Sequence, residues 1–403
     1  MSDRAFLPVL GHRSPDRSLR GRKALVRLGV GIPALAVGLL VPVASASAGE
    51  EEHSSTVHVS ASGTDSPSCG DSDGPCRTIT YGVNLAQSGS SVDVGPGTYH
   101  EQVVISKQLD LDGDQAVIDA SGLQSGSGAT LNAAALLLTG QASGSSVEGF
   151  TVRGAFGEGI LAMGLSHVRI NDNTVTGNDL GTPANTTYQE CQPQGEIPGD
   201  CGEGVHLMST SWSKVERNES TGNSGGFLVT DEFGPATGNW IVGNLAKENA
   251  TDCGITLPSH NPQALGANGK RQPTKGGVYR NVVIGNTVIA NGLKGEGAGV
   301  LLAAAGPGMA AYDNKIIGNT IRGNSMPGVT IHSHTPNQDV SDNVIVHNTI
   351  GTNNLKGDPD AKVLKTTGVL VFSAVVPQSV IIRGNDIHGN KIPIFTSSNI
   401  TRH

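Results

Sequence analysis

The chain has few aromatic residues and no long uninterrupted apolar segment. Phe, Trp and Tyr make up 3% of its 403 residues, and Trp212 and Trp240 are the only tryptophans. The longest apolar stretch, residues 28–43, contains two prolines and is shorter than the ~20 residues that a membrane-spanning helix needs. These absences argue against a helical bundle with an aromatic core and against a retained membrane anchor.

Basic residues are also scarce once the N-terminal segment is set aside. The whole chain has 27 Lys and Arg against 35 Asp and Glu, a net charge of −8. Residues 1–48 hold seven basic and two acidic residues, so the remainder has 20 basic against 33 acidic residues and a net charge of −13. A chain with this charge is not expected to bind nucleic acid or an anionic membrane surface.

Residues 1–48 have the composition of a signal peptide. A basic start, from Arg13 to Arg27, precedes the apolar stretch, and the small residues of 44–48 (ASASA) provide a cleavage site. We therefore expect a secreted, extracellular protein with a short linker at 49–56, and a single domain at 57–403. The route of export, Sec or twin-arginine, stays open.

Only five cysteines occur, all of them outside the signal segment. Cys69 and Cys76 bracket one polar loop, and Cys191 and Cys201 bracket another. In an oxidising compartment each pair is expected to form a local disulfide. The remaining residue, Cys253, is expected to be buried as a small apolar side chain.

Glycine and asparagine are abundant, and asparagine follows a repeat. Gly accounts for 56 residues, about twice its usual share of ~7%. Seven Asn pairs have their members five residues apart: Asn173/Asn178, Asn218/Asn223, Asn244/Asn249, Asn286/Asn291, Asn319/Asn324, Asn348/Asn353 and Asn385/Asn390. In most turns a Gly also opens a short β-rich run: Gly159, Gly204, Gly226, Gly254, Gly299, Gly328 and Gly368. The pattern predicts an all-β solenoid whose stacked turns bury one continuous core.

Each Asn is expected to lie at a corner of the coil. There it can form a ladder of side-chain amide hydrogen bonds along the stack, and it tolerates the left-handed backbone of tight corners. Residues 78–88 have helical spacing and predict a short helix that caps the open N-terminal end. The intervals between turns vary, which predicts inserted loops near 179–200, 258–277 and 355–365.

The repeat, together with the stretches 58–63, 77–79 and 96–101, resembles the secreted right-handed parallel β-helix proteins of the pectin-lyase-like superfamily. The resemblance extends over roughly 57–398. It implies that fold and an extracellular role related to glycans. The chain does not match the polygalacturonase, pectate-lyase or alginate-epimerase signatures. The resemblance therefore assigns no active-site role to any particular residue.

The repeat also predicts which residues are neighbours on adjacent turns. Counting from each Gly places Glu232 beside His260, and Asp231 beside Ser259. Carboxylates and imidazoles on one sheet face can transfer protons. We predict Asp231, Glu232 and His260 as catalytic residues, with Asp252 as a further carboxylate.

Further polar residues near these turns are predicted to bind substrate: Glu203, His206, Lys270, Arg271, His332 and His334. No cofactor is required, although Asp231, Glu232 and Asp252 could together hold Ca²⁺. The resulting hypothesis is an extracellular enzyme that cleaves a polysaccharide, either as a glycoside hydrolase or as a lyase. The alternative is a non-catalytic glycan-binding or cell-surface structural protein. The glycan and the oligomeric state stay open.

Overall fold

The computed structural model describes residues 55–123, 134–178 and 202–403. These residues form a right-handed parallel β-helix, which confirms the predicted fold class. Each turn runs through one strand of a first, a third and a second sheet, and each strand pairs in parallel with the equivalent strand of the next turn. Among the described residues, no helix has the length and apolar character needed to cross a membrane.

The strands, numbered in chain order, fall into four parallel sheets. The first sheet has twelve strands: β1 (Thr56–Val59), β2 (Ser91–Val94), β5 (Asp110–Gly113), β8 (Ser146–Glu148), β11 (Arg169–Asn171), β14 (Lys214–Glu216), β18 (Trp240–Val242), β22 (Val282–Ile284), β26 (Lys315–Ile317), β29 (Asn343–Val346), β32 (Gln378–Arg383) and β35 (Ile400–Arg402). The second sheet has ten: β4 (Val103–Lys107), β7 (Leu136–Gln141), β10 (Ile160–Met163), β13 (Glu203–Met208), β16 (Gly225–Thr230), β20 (Ile255–Ser259), β24 (Val300–Ala304), β28 (Val329–Ser333), β31 (Thr367–Ser373) and β34 (Ile392–Thr396). The third also has ten: β3 (Gly97–Tyr99), β6 (Ala116–Asp119), β9 (Thr151–Arg153), β12 (Thr174–Thr176), β15 (Glu219–Thr221), β19 (Leu245–Lys247), β23 (Thr287–Ile289), β27 (Thr320–Arg322), β30 (Thr349–Ile350) and β33 (Asp386–Ile387). A fourth, small sheet contains β17 (Ala236–Thr237), β21 (Val278–Tyr279) and β25 (Ala311–Tyr312).

One apolar core runs along the axis of the coil. Side chains alternate along each strand, so every second residue points inward. On β13, for example, Val205 and Leu207 are buried in this core, and they pair in register with Phe227 and Val229 of β16. A single turn could not bury these side chains alone, and the stacked turns bury them together.

Three ladders of Asn side chains hold the three corners. The two predicted ladders run from Asn173 and from Asn178. The third, which the sequence reading missed, contains Asn239, Asn281, Asn314 and Asn343. In each ladder the Oδ1 atom of one Asn accepts a hydrogen bond from the backbone N–H of the ladder residue one turn earlier, as Asn319 does from Asn286 at 2.9 Å.

The left-handed backbone lies one residue before the ladder position, and not at the Asn as expected. Gly285 and Gly318, which precede Asn286 and Asn319, have φ angles of 67° and 63°. At the other corner Ala290 takes the same conformation, with φ 59°. The Asn therefore contributes its side-chain hydrogen bonds, while the preceding residue makes the bend.

Gly285 and Ala290 provide a matched test of backbone strain. Gly285→Ala is expected to lower the free energy of unfolding by about 1 kcal/mol, because a Cβ is disfavoured at positive φ. A Cβ there would meet no atom within 4 Å, so steric clash does not contribute. Ala290→Gly relieves the same strain and is expected to raise the free energy by up to about 1 kcal/mol. Chemical denaturation checks both values, and two shifts of the same sign would contradict the account.

The N-terminal end is closed by the predicted helix. Helix α1 (Ile79–Leu85) begins at Thr78, whose side chain accepts a hydrogen bond from the N–H of Tyr81. Both oxygens of Glu101 accept further N–H groups of its first turn, from Ile79 and Thr80 at 2.8 Å each. Ile79 and Val83 are buried against the first turns of the coil. A disulfide joins Cys69 to Cys76, whereas the second predicted pair involves residues outside the described part of the chain.

Two of the three predicted insertions lie in the described part of the chain. The first, 179–200, lies outside it. The second follows β20 and leads into β21, and the third follows Asn353 and leads into β31. Both join the ends of second-sheet strands to the rest of the coil, so they flank the face of that sheet.

Candidate acid–base site on the second sheet

The outer face of the second sheet carries polar side chains at three successive turns. Val205 and Leu207 point into the core, so His206 between them points outward. Thr230 and Thr256 lie outward on β16 and β20 by the same alternation, since Val229 and Leu257 are core residues. The register therefore brings a His, a Thr and the segment after β16 to the same side of the coil.

Four contacts join these side chains into a relay, which consists of Glu158, His206, Thr230, Glu232 and His260. His206 Nδ1 lies 3.4 Å from Glu158 Oε1, and its Nε2 lies 2.8 Å from Thr230 Oγ1. Thr230 Oγ1 in turn donates to Glu232 Oε2. Glu232 Oε1 lies 2.9 Å from His260 Nδ1. The predicted neighbours Glu232 and His260 are thus in direct contact, and His206 is linked to them.

The Glu232–His260 pair is buried. Their side chains are 0% and 1% exposed, respectively. Burial disfavours the ionised carboxylate, but the hydrogen bond and the electrostatic interaction with His260 outweigh it and lower the pKa of Glu232 below its ordinary value of 4.5. Glu232 therefore holds a negative charge at neutral pH beside an imidazole, which is the arrangement of an acid–base pair.

Asp231, predicted as a catalytic carboxylate, is instead fully occupied by the loop after β20. Its oxygens accept hydrogen bonds from Ser259 Oγ at 2.9 Å, from the N–H groups of His260 and Asn261 at 2.7 and 3.2 Å, and from the N–H of Gly277. Burial, with the neighbouring charge of Glu232, raises the pKa of Asp231 to about 6 although these hydrogen bonds favour ionisation. Asp231 therefore ties both ends of the inserted loop to the coil.

The other predicted carboxylates do not join this relay through any contact between described residues. Glu203 is the buried first residue of β13 and pairs in register with Gly225. Asp252 precedes the buried thiol of Cys253. Among the described residues, Asp231, Glu232 and Asp252 do not bring their oxygens together as a cation site. The predicted Ca²⁺ site is therefore not formed by these side chains in the described structure.

The two basic residues predicted to contact substrate lie on the inserted loop and differ in their surroundings. Lys270 is exposed. Arg271 is half-buried and donates to Asp339 at 2.6 Å and to Asp342 at 2.8 Å, and its guanidinium stacks 3.9 Å from the centre of the Tyr312 ring. These contacts fix the loop to a turn two strands away.

Exposed aromatic side chains adjoin the turn that carries Glu232. Phe233, Trp212 and Trp240 are 55%, 57% and 49% exposed. Phe233 follows Glu232 directly, and its N–H donates to Ser209 Oγ at 2.8 Å. The backbone N–H of Trp212 donates to Thr237 at the end of the same turn.

The predicted substrate residues His332 and His334 form a second polar cluster with the third inserted loop. His332 Nδ1 and His334 Nε2 lie 3.5 and 3.6 Å from Asp360 Oδ2. One donor atom from each of the three residues lies within 4.8 Å of the others. Asp358, buried on the same loop, places Oδ2 3.0 Å from His332 Nε2. Two imidazoles and a carboxylate form a donor set that suits Zn²⁺ or Cu²⁺.

Sequence reasoning missed four members of these clusters. Thr230 is two residues before Glu232 on the outward side of β16, so strand alternation would have found it. Glu158 directly precedes a repeat Gly, as Glu203 does, and this shared position was a usable signal. Asp358 and Asp360 lie on an inserted loop, where the repeat gives no register.

Several solved structures are similar to this chain, at low identity. An alginate lyase from Paenibacillus sp. has 11% identity and a TM-score of 0.45, with 86% of this chain and 98% of that chain covered. The A-module of the Azotobacter vinelandii mannuronan C-5 epimerase AlgE4 has 16% identity and a TM-score of 0.39, with 77% and 91% covered. DFA-IIIase from Arthrobacter chlorophenolicus, solved without its lid, has 11% identity and a TM-score of 0.43, with 86% and 93% covered. No curated protein sequence matches the chain.

A family model matches the central part of the chain. Its description is "Periplasmic copper-binding protein (NosD)", and the match spans residues 143–368. These residues include both polar clusters of the second sheet, and the match ends before the last strands of the coil. Because the match extends over more than half of the chain, this protein belongs to the NosD family.

Proposed function

We propose that this protein is an exported carbohydrate-active enzyme that cleaves a polysaccharide by proton transfer at the Glu232–His260 pair. The observation that carries the proposal is the 2.9 Å contact between Glu232 Oε1 and His260 Nδ1, on the outer face of the second sheet. Glu232 holds His260 in one orientation and one tautomer. Proton transfer to or from a substrate would then go through Nε2 of His260.

The contacts of Asp231 favour elimination over hydrolysis. Hydrolysis of a glycosidic bond uses two carboxyl groups that face the bond. Both oxygens of Asp231 instead accept hydrogen bonds from the inserted loop. Elimination instead needs one base: the base takes a proton from the sugar ring, the bond from the adjacent ring carbon to the glycosidic oxygen breaks, a carbon–carbon double bond forms, and the leaving oxygen takes up a proton from water or from the protonated base. A carboxylate–imidazole pair suits that step, and we assign His260 as the base.

Three further features support a carbohydrate substrate and export. Phe233, which directly follows Glu232, provides exposed flat apolar surface next to the pair in the chain, and Trp212 and Trp240 are also exposed. The basic and apolar sequence of 1–48 has the composition of a signal peptide. The description of the family names the periplasm, which agrees with an exported protein.

The description of the family also names copper, and one donor set in the described chain fits that ion. His332 and His334 offer imidazole nitrogens and Asp360 a carboxylate, and the buried carboxylate of Asp358 lies 3.0 Å from Nε2 of His332. A bound copper ion would supply Lewis-acid or redox chemistry. The proposed cleavage assigns no step to it, because Glu232 and His260 belong to the other cluster.

The first experiment is incubation of the mature protein with a panel of neutral and uronate-containing polysaccharides. Absorbance from an unsaturated uronate is the expected result. New reducing ends without that absorbance would indicate hydrolysis and would overturn the role of His260 as eliminating base. The near-complete burial of the pair favours the second candidate, a non-catalytic glycan-binding protein. Retention on polysaccharide gels with no cleavage anywhere in the panel would establish that candidate and reject the enzyme.

The pH profile provides a test specific to Glu232. Glu232 keeps its negative charge down to a pH below 4.5, because its pKa is lowered, and its protonation below that pH should remove the kcat/KM that remains on the acid limb of the profile. Thr230→Val removes one hydrogen bond to the carboxylate and should move this acid limb upward by roughly half to one pH unit. Thr256→Val, on the neighbouring strand, is the matched control. Identical profiles for Thr230→Val and the control would contradict the assignment.

A further inference from the structure

We propose that His332, His334 and Asp360 form a binding site for a divalent transition-metal ion that prefers imidazole ligands. None of these three residues takes part in the proposed cleavage. It lies on the outer face of the same sheet, about three strands from Thr230, or roughly 14 Å at the usual strand spacing.

The three donor groups come from two separate pieces of chain. His332 is the fourth residue of β28 and points outward, because side chains alternate along the strand and Val329 and Ile331 belong to the core. His334 follows the end of the strand, and its N–H donates to Gln338 Oε1 at 2.6 Å. Asp360 comes from the inserted loop and places Oδ2 3.5 Å from His332 Nδ1 and 3.6 Å from His334 Nε2.

The inserted loop is built to present Asp360. The backbones of Asp358 and Val363 exchange two hydrogen bonds, of 2.9 and 3.0 Å, which closes the loop. Asn354 Nδ2 donates to the carbonyls of Val363 and Lys365 at 2.9 and 2.8 Å. Asp358 Oδ1 accepts the N–H of Ala361 at 2.8 Å. A loop fixed at both ends holds its carboxylate in place at little further entropic cost when a ligand binds.

Asp358 is the positioning residue of the site. It is completely buried, and its Oδ2 lies 3.0 Å from Nε2 of His332, which is itself 4% exposed. The two atoms are not aligned as a hydrogen bond, and neither has another hydrogen-bond partner in the described structure. A carboxylate beside one ring nitrogen favours the tautomer whose other nitrogen, here Nδ1 on the Asp360 side, carries the lone pair. A metal ion at Nδ1 would complete this arrangement, with Asp358 as the partner of the opposite ring nitrogen.

The donor set selects the class of ion. Imidazole suits Cu²⁺ and Zn²⁺, whereas Ca²⁺ and Mg²⁺ prefer six or more oxygen ligands. The ring of Phe372, on the neighbouring strand, packs 5.9 Å from His332 and 5.7 Å from His334. This apolar wall restricts the positions of both imidazoles and excludes water from one side of the cluster.

The test uses the full chain, purified without a histidine tag and stripped with a chelator. Titration with Cu²⁺ and with Zn²⁺, followed by calorimetry, is expected to show one tight equivalent, and the Cu²⁺ form should show imidazole nitrogen coupling in its electron paramagnetic resonance spectrum. His334→Ala and Asp360→Asn should each weaken that equivalent at least tenfold. Both side chains are partly exposed, so the variants should fold, and circular dichroism checks this.

His388→Ala is the matched control. His388 lies 3.5 Å from Asp386, and both are well exposed, so this pair reproduces a surface His–Asp contact without the built loop. Its removal should leave the tight equivalent unchanged. Asp358→Asn should keep the stoichiometry and weaken binding by roughly 10- to 100-fold, the usual effect of a lost outer-shell partner. Equal losses in His388→Ala and His334→Ala, or wild-type affinity in His334→Ala, would show scattered surface binding and overturn the proposal.

Discussion

Replacement of Glu232 by Gln is expected to lower kcat by about 10²- to 10⁴-fold on any polysaccharide that the protein cleaves. Gln has nearly the same shape but no negative charge, so it can no longer stabilise a protonated His260 across the 2.9 Å contact. KM should change little, because the carboxylate is covered and is not assigned to bind the sugar. Steady-state kinetics on the wild type and the variant measure both constants.

Two comparisons separate this effect from general damage. Glu248→Gln removes a carboxylate that is well exposed and pairs with Lys247, and it should leave kcat unchanged. His260→Gln should resemble Glu232→Gln, and the double variant should be no slower than either single variant, because the two side chains act as a unit. Full activity in a folded Glu232→Gln protein would reject the assignment of the pair.

Replacement of Asp231 by Ala is expected to lower the free energy of unfolding by about 4 kcal/mol. The change leaves three buried backbone N–H groups, those of His260, Asn261 and Gly277, without their acceptor. Each such group costs about 1–3 kcal/mol when it stays unpaired. Because the donors lie at both ends of the loop after β20, the loop should detach before the coil unfolds.

Denaturation and limited proteolysis measure this second effect. Trypsin should cut Asp231→Ala rapidly after Lys270, Arg271 or Lys275, which lie within the loop. Asp386→Ala, a change at a well-exposed carboxylate, should alter stability by less than about 0.5 kcal/mol and is the control. A stable, protease-resistant Asp231→Ala protein without activity would instead favour the catalytic role that the sequence predicts for this residue.

The fold could be predicted from the sequence because its main signal has a constant interval. The Asn residues five positions apart predicted the coil and two of its ladders. The third ladder has the same interval, since Asn239, Asn281 and Asn314 each precede a predicted pair by five residues. The third ladder was therefore predictable from the same five-residue interval, if the Asn residues are grouped in threes and not in pairs. The conformation of the residues before each Asn was not predictable in this way, because Gly, Arg, Glu, Ala and Asp all occur there.

The candidate sites were predictable only where they follow the register. Glu232 and His260 lie on successive turns at equal distances from their Gly residues, so counting brings them together. The register did not predict the partner of Arg271, which pairs with Asp339, 68 residues further along the chain. Asp360 approaches His332 from an inserted loop whose conformation does not follow the repeat. Contacts made by insertions depend on loop conformation, which the repeat does not encode.

The fixed interval within the Asn triplets confines changes in length to one side of the coil. In each complete triplet, successive Asn residues are five positions apart, as in Asn281, Asn286 and Asn291. The first interval spans a strand of the first sheet, and the second interval spans a strand of the third sheet. An added residue there would break two hydrogen-bonded ladders at once. The segments that enter and leave the second sheet carry no such restriction, and both insertions in the described part of the chain occur there. The first and third sheets of the coil therefore keep a fixed length per turn, whereas the connections of the second sheet accept added residues. Foreign binding loops grafted at the ends of second-sheet strands should leave the scaffold intact.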